Sequence, residues 1–331
     1  KFSVDSMASD ARNEDCVGPS STMAGKASSC DGCPSKDICA SGKGALPDPA
    51  AAEVAEALKD VRHKLLILSG KGGVGKSTFA SQIAWILSDS NKQVGILDID
   101  ICGPSIPRMM GVESESVHRS NLGWTPVYAS DNLAVMSVGF MLENRNSAIV
   151  WRGPRKNGLI KQFLTDVIWS DLDFLIIDAP PGTSDEHISV VKYLESSRAD
   201  GAVIVTTPQE VALLDVRKEI SFCKKVGVPI LGIVENMSGF VCPHCQTRSE
   251  IFSPMTGGAK KMCEDMNVPF LGSIPLDPNL LLHCEKGISF VKANPKSAAS
   301  IAYLSVLDKL MHSTPELSKT FDQIVENDDC D

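Results

Sequence analysis

A short apolar run, Leu65-Leu-Ile-Leu68, passes at once into Gly70, Lys71, Gly72, Gly73, Val74, Gly75, Lys76, Ser77 and Thr78, and a helix-length stretch follows from Lys76 to Ser88. The apolar run has the length of a buried strand. The glycines let the backbone curl so that its N–H groups turn toward one point, where an anion is held. The helix behind the loop adds the positive end of its dipole. Strand, glycine-rich loop and helix in this order satisfy G-x-x-x-x-G-K-[ST], a phosphate-binding loop, in the context that pattern requires. Lys76 is therefore expected to reach the β- and γ-phosphates of a bound ATP, and the Ser77 hydroxyl to sit on Mg²⁺.

The rest of the chain repeats the same alternation. Apolar runs at 94–97, 133–136, 174–177, 202–205, 230–234 and 270–274 are separated by helix-length segments at 76–88, 157–168, 185–195, 209–226 and 256–266. Strands alternating with helices imply an α/β fold, a mainly parallel sheet flanked by helices on both faces. Before the P-loop, a helix is expected over Ala50–Val61, and a last helix over Ser297–Leu310. Residues 1–46 are rich in Ser, Gly, Asp, Pro and Cys and poor in large aliphatics, so they cannot build a core of their own. The expected organisation is a cysteine-rich segment over 1–46, a P-loop ATPase domain over 47–312 and a flexible acidic tail over 313–331. Met7-Ala-Ser-Asp10 reads like a natural start.

Two acidic sites complete the phosphate centre. Asp98 and Asp100 follow the run ending at Leu97, at the carboxyl edge where open α/β sheets bind ligands. Asp98 would hold Mg²⁺ through water, and Asp100 would orient the attacking water. Phe174-Leu-Ile-Ile-Asp178 is an apolar strand ending in a carboxylate, and Asp178 would be an outer Mg²⁺ partner. The Ala179-Pro-Pro-Gly-Thr183 stretch after it resembles a switch loop that a γ-phosphate could hold. Lys71 adds a second lysine to the loop. That resembles the two-lysine class that includes the nitrogenase iron protein and the Min and Par partitioning ATPases. The resemblance implies that Lys71 reaches across a dimer interface to the partner's nucleotide and stabilises the transferred phosphoryl group. In that class an Asn at the end of a later strand reads the adenine edge, a role carried here by Asn236.

With a net charge of −9, the chain lacks the positive surface that nucleic acid requires. No apolar run reaches the eighteen residues of a membrane span. The expectation is a cytoplasmic protein that binds neither. Eleven cysteines in a long chain without a secretory signal point to metal ligation or buried thiols rather than a disulfide framework. Cys242-Pro-His-Cys245 supplies two thiolates, half of what a tetrahedral metal or a cubane needs. A symmetric dimer would supply four on the two-fold axis. A bridging [4Fe–4S] cluster, a redox dithiol and half of a zinc ribbon all remain open, the dimer-forming loop favouring the first. Cys16, Cys30, Cys33 and Cys39 follow a C-x13-C-x2-C-x5-C spacing. A segment with no core needs a metal for order, and either zinc or a [4Fe–4S] cluster would serve. Cys102, Cys223, Cys263, Cys284 and Cys330 read as small buried hydrophobes.

Taken together, these motifs resemble the Mrp/NBP family of nucleotide-binding P-loop ATPases, and in particular its N-terminally extended branch of eukaryotic cytosolic iron–sulfur cluster assembly scaffolds. The resemblance rests on the four N-terminal cysteines, Leu68–Thr78, Leu97–Pro107, Trp151-Arg-Gly-Pro154, Pro180–His187, Thr207-Pro-Gln-Glu210, Glu235–Phe240 and Cys242–Cys245, and spans residues 14 to 311. It implies a tightly held [4Fe–4S] cluster on the N-terminal cysteines and a labile bridging cluster on Cys242 and Cys245. It also implies an ATPase cycle that governs transfer to cytosolic and nuclear apoproteins, and a heterotetramer with a shorter paralogue or a homodimer, acting with cluster-transfer factors. Three other readings use the same loop, and one of them, an ATP-driven electron donor of the nitrogenase iron-protein type, would bridge a cluster between subunits without needing the four N-terminal cysteines. A Min/Par-like positioning ATPase would leave six cysteines idle, and a zinc-stapled regulatory ATPase would be colourless where iron–sulfur protein absorbs near 400 nm.

Overall fold

The computed structural model describes residues 23–33, 36–40, 49–101, 103–121, 123–141, 153–182, 185–195 and 197–322. The chain divides into two compact units, Lys1–Pro49 and Ala50–Asp331. In the first, a 3-10 turn at Ser28–Cys30 precedes helix α1 (Lys36–Ala40). Its backbone is stitched through the cysteines, with Cys33 N–H donating to Cys30 O and Lys36 N–H to Cys33 O, each at 3.1 Å. Cys30 is buried, and Cys33 and Cys39 are half-buried. Cys16 lies outside the described residues.

In the second unit, α2 (Pro49–Ala57) leads to β1 (Val61–Leu68), whose burial spares only Arg62. A strand buried on both faces must lie inside a sheet that is covered on both sides. The chain continues through α3 (Lys76–Asp89), β2 (Val94–Asp98), α4 (Ile106–Met109), β3 (His118–Ser120), β4 (Gly123–Thr125), β5 (Val127–Ser130) and β6 (Leu133–Ser137). After α5 (Gly153–Thr165) come β7 (Leu172–Asp178), α6 (Asp185–Glu195), β8 (Gly201–Thr206), α7 (Glu210–Val226) and β9 (Ile230–Glu235). The remainder is β10 (Phe240–Val241), β11 (Arg248–Ser249), α8 (Gly258–Met266), β12 (Phe270–Ser273), α9 (Pro278–Lys286), α10 (Phe290–Ala293), α11 (Ala298–Met311) and α12 (Pro315–Asp322).

Eight of these strands form one sheet in the order β12-β9-β8-β1-β7-β2-β6-β5, parallel throughout except for the antiparallel edge strand β5. Alternation along β1 sorts its side chains into two cores. Leu65 and Ile67 join Phe79 and Ile83 of α3 and Tyr303 and Leu307 of α11 on one face. Leu66 and Leu68 join Leu58 just after α2, Phe163 of α5, Val190 of α6 and Ile220 of α7 on the other.

Three sequence expectations shift. The first helix stops at Ala57 rather than Val61, because Val61 already pairs with Leu172 and β1 begins four residues before the apolar run. The helix expected at 157–168 is α5, Gly153–Thr165; beyond it Val167 bridges to Trp124 and Ile168 N–H donates to Trp124 O. Within the stretch read as an acidic tail, Pro315–Asp322 form α12, with Leu317 fully buried. Thr320 fastens that helix to the amino end of the sheet, its Oγ1 lying 2.7 Å from His63 Nε2 while its carbonyl accepts from Lys92 Nζ. Residues 323–331 lie outside the described residues. No described helix is long and apolar enough to cross a membrane.

Candidate functional site

The carboxyl ends of β1, β7 and β2 lie side by side, with Ile67 in register with Asp178 and Asp178 in register with Asp98. The glycine-rich loop turns over this edge. Gly73 and Gly75 have φ of +82° and +85°, in the left-handed region that side chains avoid. Gly75 has a second reason to lack a side chain, because a Cβ there would collide with Asn236 Nδ2. At Gly70, a Cβ would strike the backbone of Asp215, so α7 passes directly beneath the loop.

Lys76 and Asp178 form a buried ion pair at 2.7 Å. The other Asp178 oxygen accepts from Ser77 Oγ at 2.6 Å. Asp98, also fully buried, accepts from Ser137 Oγ at 2.9 Å, from Asp100 N–H at 3.1 Å and from Ile106 N–H at 3.3 Å. Burial, reinforced by the neighbouring Asp178 charge and opposed by Lys76, pushes the Asp98 carboxyl up to about 7. Burial likewise raises Asp178 above the usual carboxylate range, against the pull of Lys76. The two carboxylates and the Ser77 hydroxyl are hard oxygen donors of the kind Mg²⁺ takes.

An open cavity of 230 Å³ lies above this layer and brings together Lys71, Lys76, Ser77, Thr78 and Asp100. Asp100 Oδ1 is buried with no hydrogen-bond partner among the described residues. Lys71 is exposed at the rim. Pro181 closes one side, and the switch-like segment is tied to the loop by Gly182 N–H donating to Ser69 O at 2.8 Å. Thr183 and Ser184 of that segment, Trp151 and Arg152 of the Trp-Arg-Gly-Pro motif, Cys102 and Cys330 lie outside the described residues. Asn236 ends the strand turn after β9, and its side-chain amide donates to Val74 O at 2.9 Å, which places it against the back of the loop.

The Cys242–Cys245 pair sits at the tip of a hairpin made by β10 and β11, which grows out of the same strand end as Asn236. Cys242 N–H donates to Thr247 O at 3.0 Å and Gln246 N–H to Cys242 O at 2.9 Å, so backbone bonds close the turn, with Cys242 half-buried and Cys245 exposed. Hydrogen bonding at Thr247, 3.3 Å from the sulfur, holds Cys245 below the usual thiol range. Among the described residues no three of His, Cys, Asp and Glu converge to hold a metal, and Cys30, Cys33 and Cys39 are not brought together. Their shared feature is chemical, a set of soft thiol donors in one short segment. Cys223, Cys263 and Cys284 are buried, as read from the sequence.

Two contributors were not foreseen. Ser137 steadies Asp98 from the end of β6, and Glu235 is buried beside Asn236. A polar residue at the carboxyl end of an otherwise apolar strand is the signal both share.

Comparison with known proteins agrees with this geometry. The family model for NUBPL iron-transfer P-loop NTPases, of ParA type, matches residues 60–311. The solved nucleotide-binding protein from Archaeoglobus fulgidus in complex with ADP is 36% identical, covers 72% of this chain and 92% of its own, and superposes with a TM-score of 0.61. The cell division ATPase MinD of Pyrococcus furiosus, 24% identical over 77% of this chain and 100% of its own, superposes with a TM-score of 0.54. A ParA family ATPase from Chlorobium tepidum reaches the same TM-score at 19% identity over 77% of this chain and 100% of its own. These last two share the fold.

Proposed function

The chain belongs to the NUBPL iron-transfer P-loop NTPase family and is an ATPase, and on that premise we propose that it is a scaffold on which [4Fe–4S] clusters are assembled and passed to cytosolic and nuclear apoproteins. The observation that carries the reading is the placement of Cys242 and Cys245. They project from a hairpin rooted at the strand end that also supplies Asn236 to the phosphate loop. One chain offers two thiols there, and a second copy or a shorter paralogue related by a two-fold axis would complete four. The cluster held between them is cargo.

In the ATPase step, the loop N–H groups and Lys76 take the phosphates. Lys76 exchanges Asp178 for phosphate oxygen, and Ser77 turns its hydroxyl from Asp178 to Mg²⁺. Asp98 and Asp178 would help to hold Mg²⁺, which would supply positive charge to the phosphates. Asp100, which lines the cavity and has one carboxylate oxygen without a hydrogen-bond partner among the described residues, orients the attacking water. Lys71, free at the rim, crosses to the nucleotide of the opposing subunit and meets the charge that develops on the transferred phosphoryl group. Asn236 contributes the contact to the adenine edge. Cys16, Cys30, Cys33 and Cys39 would form the donor set for a resident [4Fe–4S] cluster, which would supply redox-active, thiolate-held iron. The protein works in the cytosol.

The test is anaerobic reconstitution with iron and sulfide, followed by iron, sulfide and zinc analysis and the absorbance near 400 nm. Iron and sulfide in equal amount with broad absorbance are expected. Stoichiometric zinc without colour would overturn the scaffold reading and leave the ATPase standing.

A further inference from the structure

The hairpin that carries the cysteines leaves the body of the protein at Ser238 and returns to it at α8. Both ends are gripped by one side chain. Glu235, the last residue of β9 and 7% exposed, accepts from Ser238 Oγ at 2.7 Å where the excursion starts. Its other oxygen accepts from Ala259 N–H at 2.7 Å where the excursion ends. Ser273 Oγ adds a third bond at 3.3 Å from β12. Gly258, with φ of +69°, leaves room for the carboxylate, because a Cβ there would collide with Glu235 Oε2. The grip extends outward through Arg248 of β11, whose guanidinium donates to Ser238 O at 3.1 Å and to Ser238 Oγ at 3.2 Å.

The residue between this clamp and the phosphate loop is strained. Met237 has φ of 55°, a left-handed conformation that a non-glycine residue adopts only where its surroundings hold it there. On one side of it Asn236 is bonded to Val74 O of the loop, and on the other Ser238 is bonded to Glu235. Backbone bonds hold the turn rigid: Asn236 N–H to Thr206 O at 2.7 Å, Ser238 N–H to Ile274 O at 2.9 Å and Leu276 N–H to Gly239 O at 2.8 Å. A displacement of Asn236 has no soft joint in which to be absorbed before it reaches β10.

We propose that Glu235 is a positioning residue that makes the Cys242–Cys245 hairpin move as one body with the Asn236 turn, so that nucleotide occupancy of the phosphate loop is registered at the two thiols. The inference rests on the proposed use of that pair. Because an ion or cluster would mask the thiols, the test uses the whole chain free of metal. Cys242 and Cys245 are alkylated with limiting iodoacetamide and quantified by mass spectrometry without nucleotide, with Mg·ADP and with a non-hydrolysable Mg·ATP analogue. In the unmodified protein the rate at Cys245 is expected to change about fivefold or more between nucleotide states, the lower range of ordinary site-to-site coupling. Glu235→Ala and Ser238→Ala should still bind nucleotide and bring that ratio to about one, a loss the coupling predicts. Glu235→Gln retains an acceptor for Ala259 N–H, and the serine hydroxyls can rotate to accept from its amide, so it should keep most of the response. If Glu235→Ala fails to fold, Ser238→Ala carries the test. A thiol rate indifferent to nucleotide in the unmodified protein, with binding demonstrated, overturns the proposal. So does an undiminished response in Ser238→Ala. Neither outcome depends on whether the thiols hold iron, which the metal analysis decides separately.

Discussion

Lys76 Nζ lies 2.7 Å from Asp178 Oδ1, and both side chains are shut away from solvent, at 6% and 0% exposure. The second lysine of the glycine-rich loop and the acidic end of β7 are thus one electrostatic unit, with Asp98 in register beside it. Removing half of such a pair leaves the other half uncompensated.

Lys76→Ala is therefore expected to do two things. It should weaken ATP binding at least about tenfold by removing the cation at the phosphates. It should also cost on the order of 3–5 kcal/mol of stability, since Asp178 is left buried next to Asp98 and must take up a proton. Adding Asp178→Asn to Lys76→Ala should restore most of that stability without restoring nucleotide binding. Chemical denaturation of the three variants beside isothermal titration with ADP checks both halves. Equal stability of Lys76→Ala and the parent would show that the pair carries no net energy.

Lys71 presents a different expectation because it is exposed at the rim rather than built into the ion pair. Lys71→Ala should bind nucleotide within about twofold of the parent and lower kcat about 100-fold or more, the usual scale for losing a charge aimed at the transition state. Asp100→Ala should show the same split. The ATPase rate at saturating ATP, with nucleotide affinity measured separately, checks it. Normal turnover by Lys71→Ala would remove the two-lysine assignment.

The cysteine sets should separate in metal analysis. If Cys242 and Cys245 bridge two chains as proposed, Cys242→Ala/Cys245→Ala is expected to lose about half of the reconstituted iron and the cluster-dependent association of chains. Cys30→Ala/Cys33→Ala should lose the other half and keep the association. Iron determination with size-exclusion chromatography under argon checks both. Equal losses in the two variants would mean a single shared site.

Glu219 offers a pH test remote from the nucleotide. It sits on α7 at 0% exposure, and neither carboxylate oxygen has a hydrogen-bond partner among the described residues. Burial pushes its carboxyl from 4.5 up to about 8. The folded state holds this proton more tightly than the unfolded chain. Its contribution to stability is therefore full below pH 4.5, falls as the pH rises, and is gone once the pH has passed about 8. Glu219→Gln should remove that slope and make the protein about 2–5 kcal/mol more stable relative to the parent at pH 9 than at pH 5. Urea midpoints across that range check it. Parallel pH profiles for the two proteins would place the Glu219 carboxyl in a polar environment.

The sequence alone determined the parts whose physics is local. A strand running into glycines and then a helix leaves few alternatives for residues 65 to 88, and the structure places β1 and α3 there, with left-handed backbone at Gly73 and Gly75. The apolar runs marked the buried parallel strands, because strands covered on both faces must be apolar almost throughout. β10 and β11, with two residues each, and the antiparallel edge strand β5 left no such mark, since they bury little and depend on a partner for their hydrogen bonds. Helix α12 was hidden for a related reason, its anchoring by Leu317 and Thr320 depending on a surface built from β1 and α11. Only the tertiary structure decided that Asp98 and Asp178, 80 positions apart in the numbering, share one buried layer with Lys76. It alone decided that Asn236 lies against the phosphate loop and that Glu235 grips both ends of the cysteine hairpin. Such relations are set by which strands neighbour each other and how far each runs, and long-range pairing of that kind leaves no periodicity in the chain to be read.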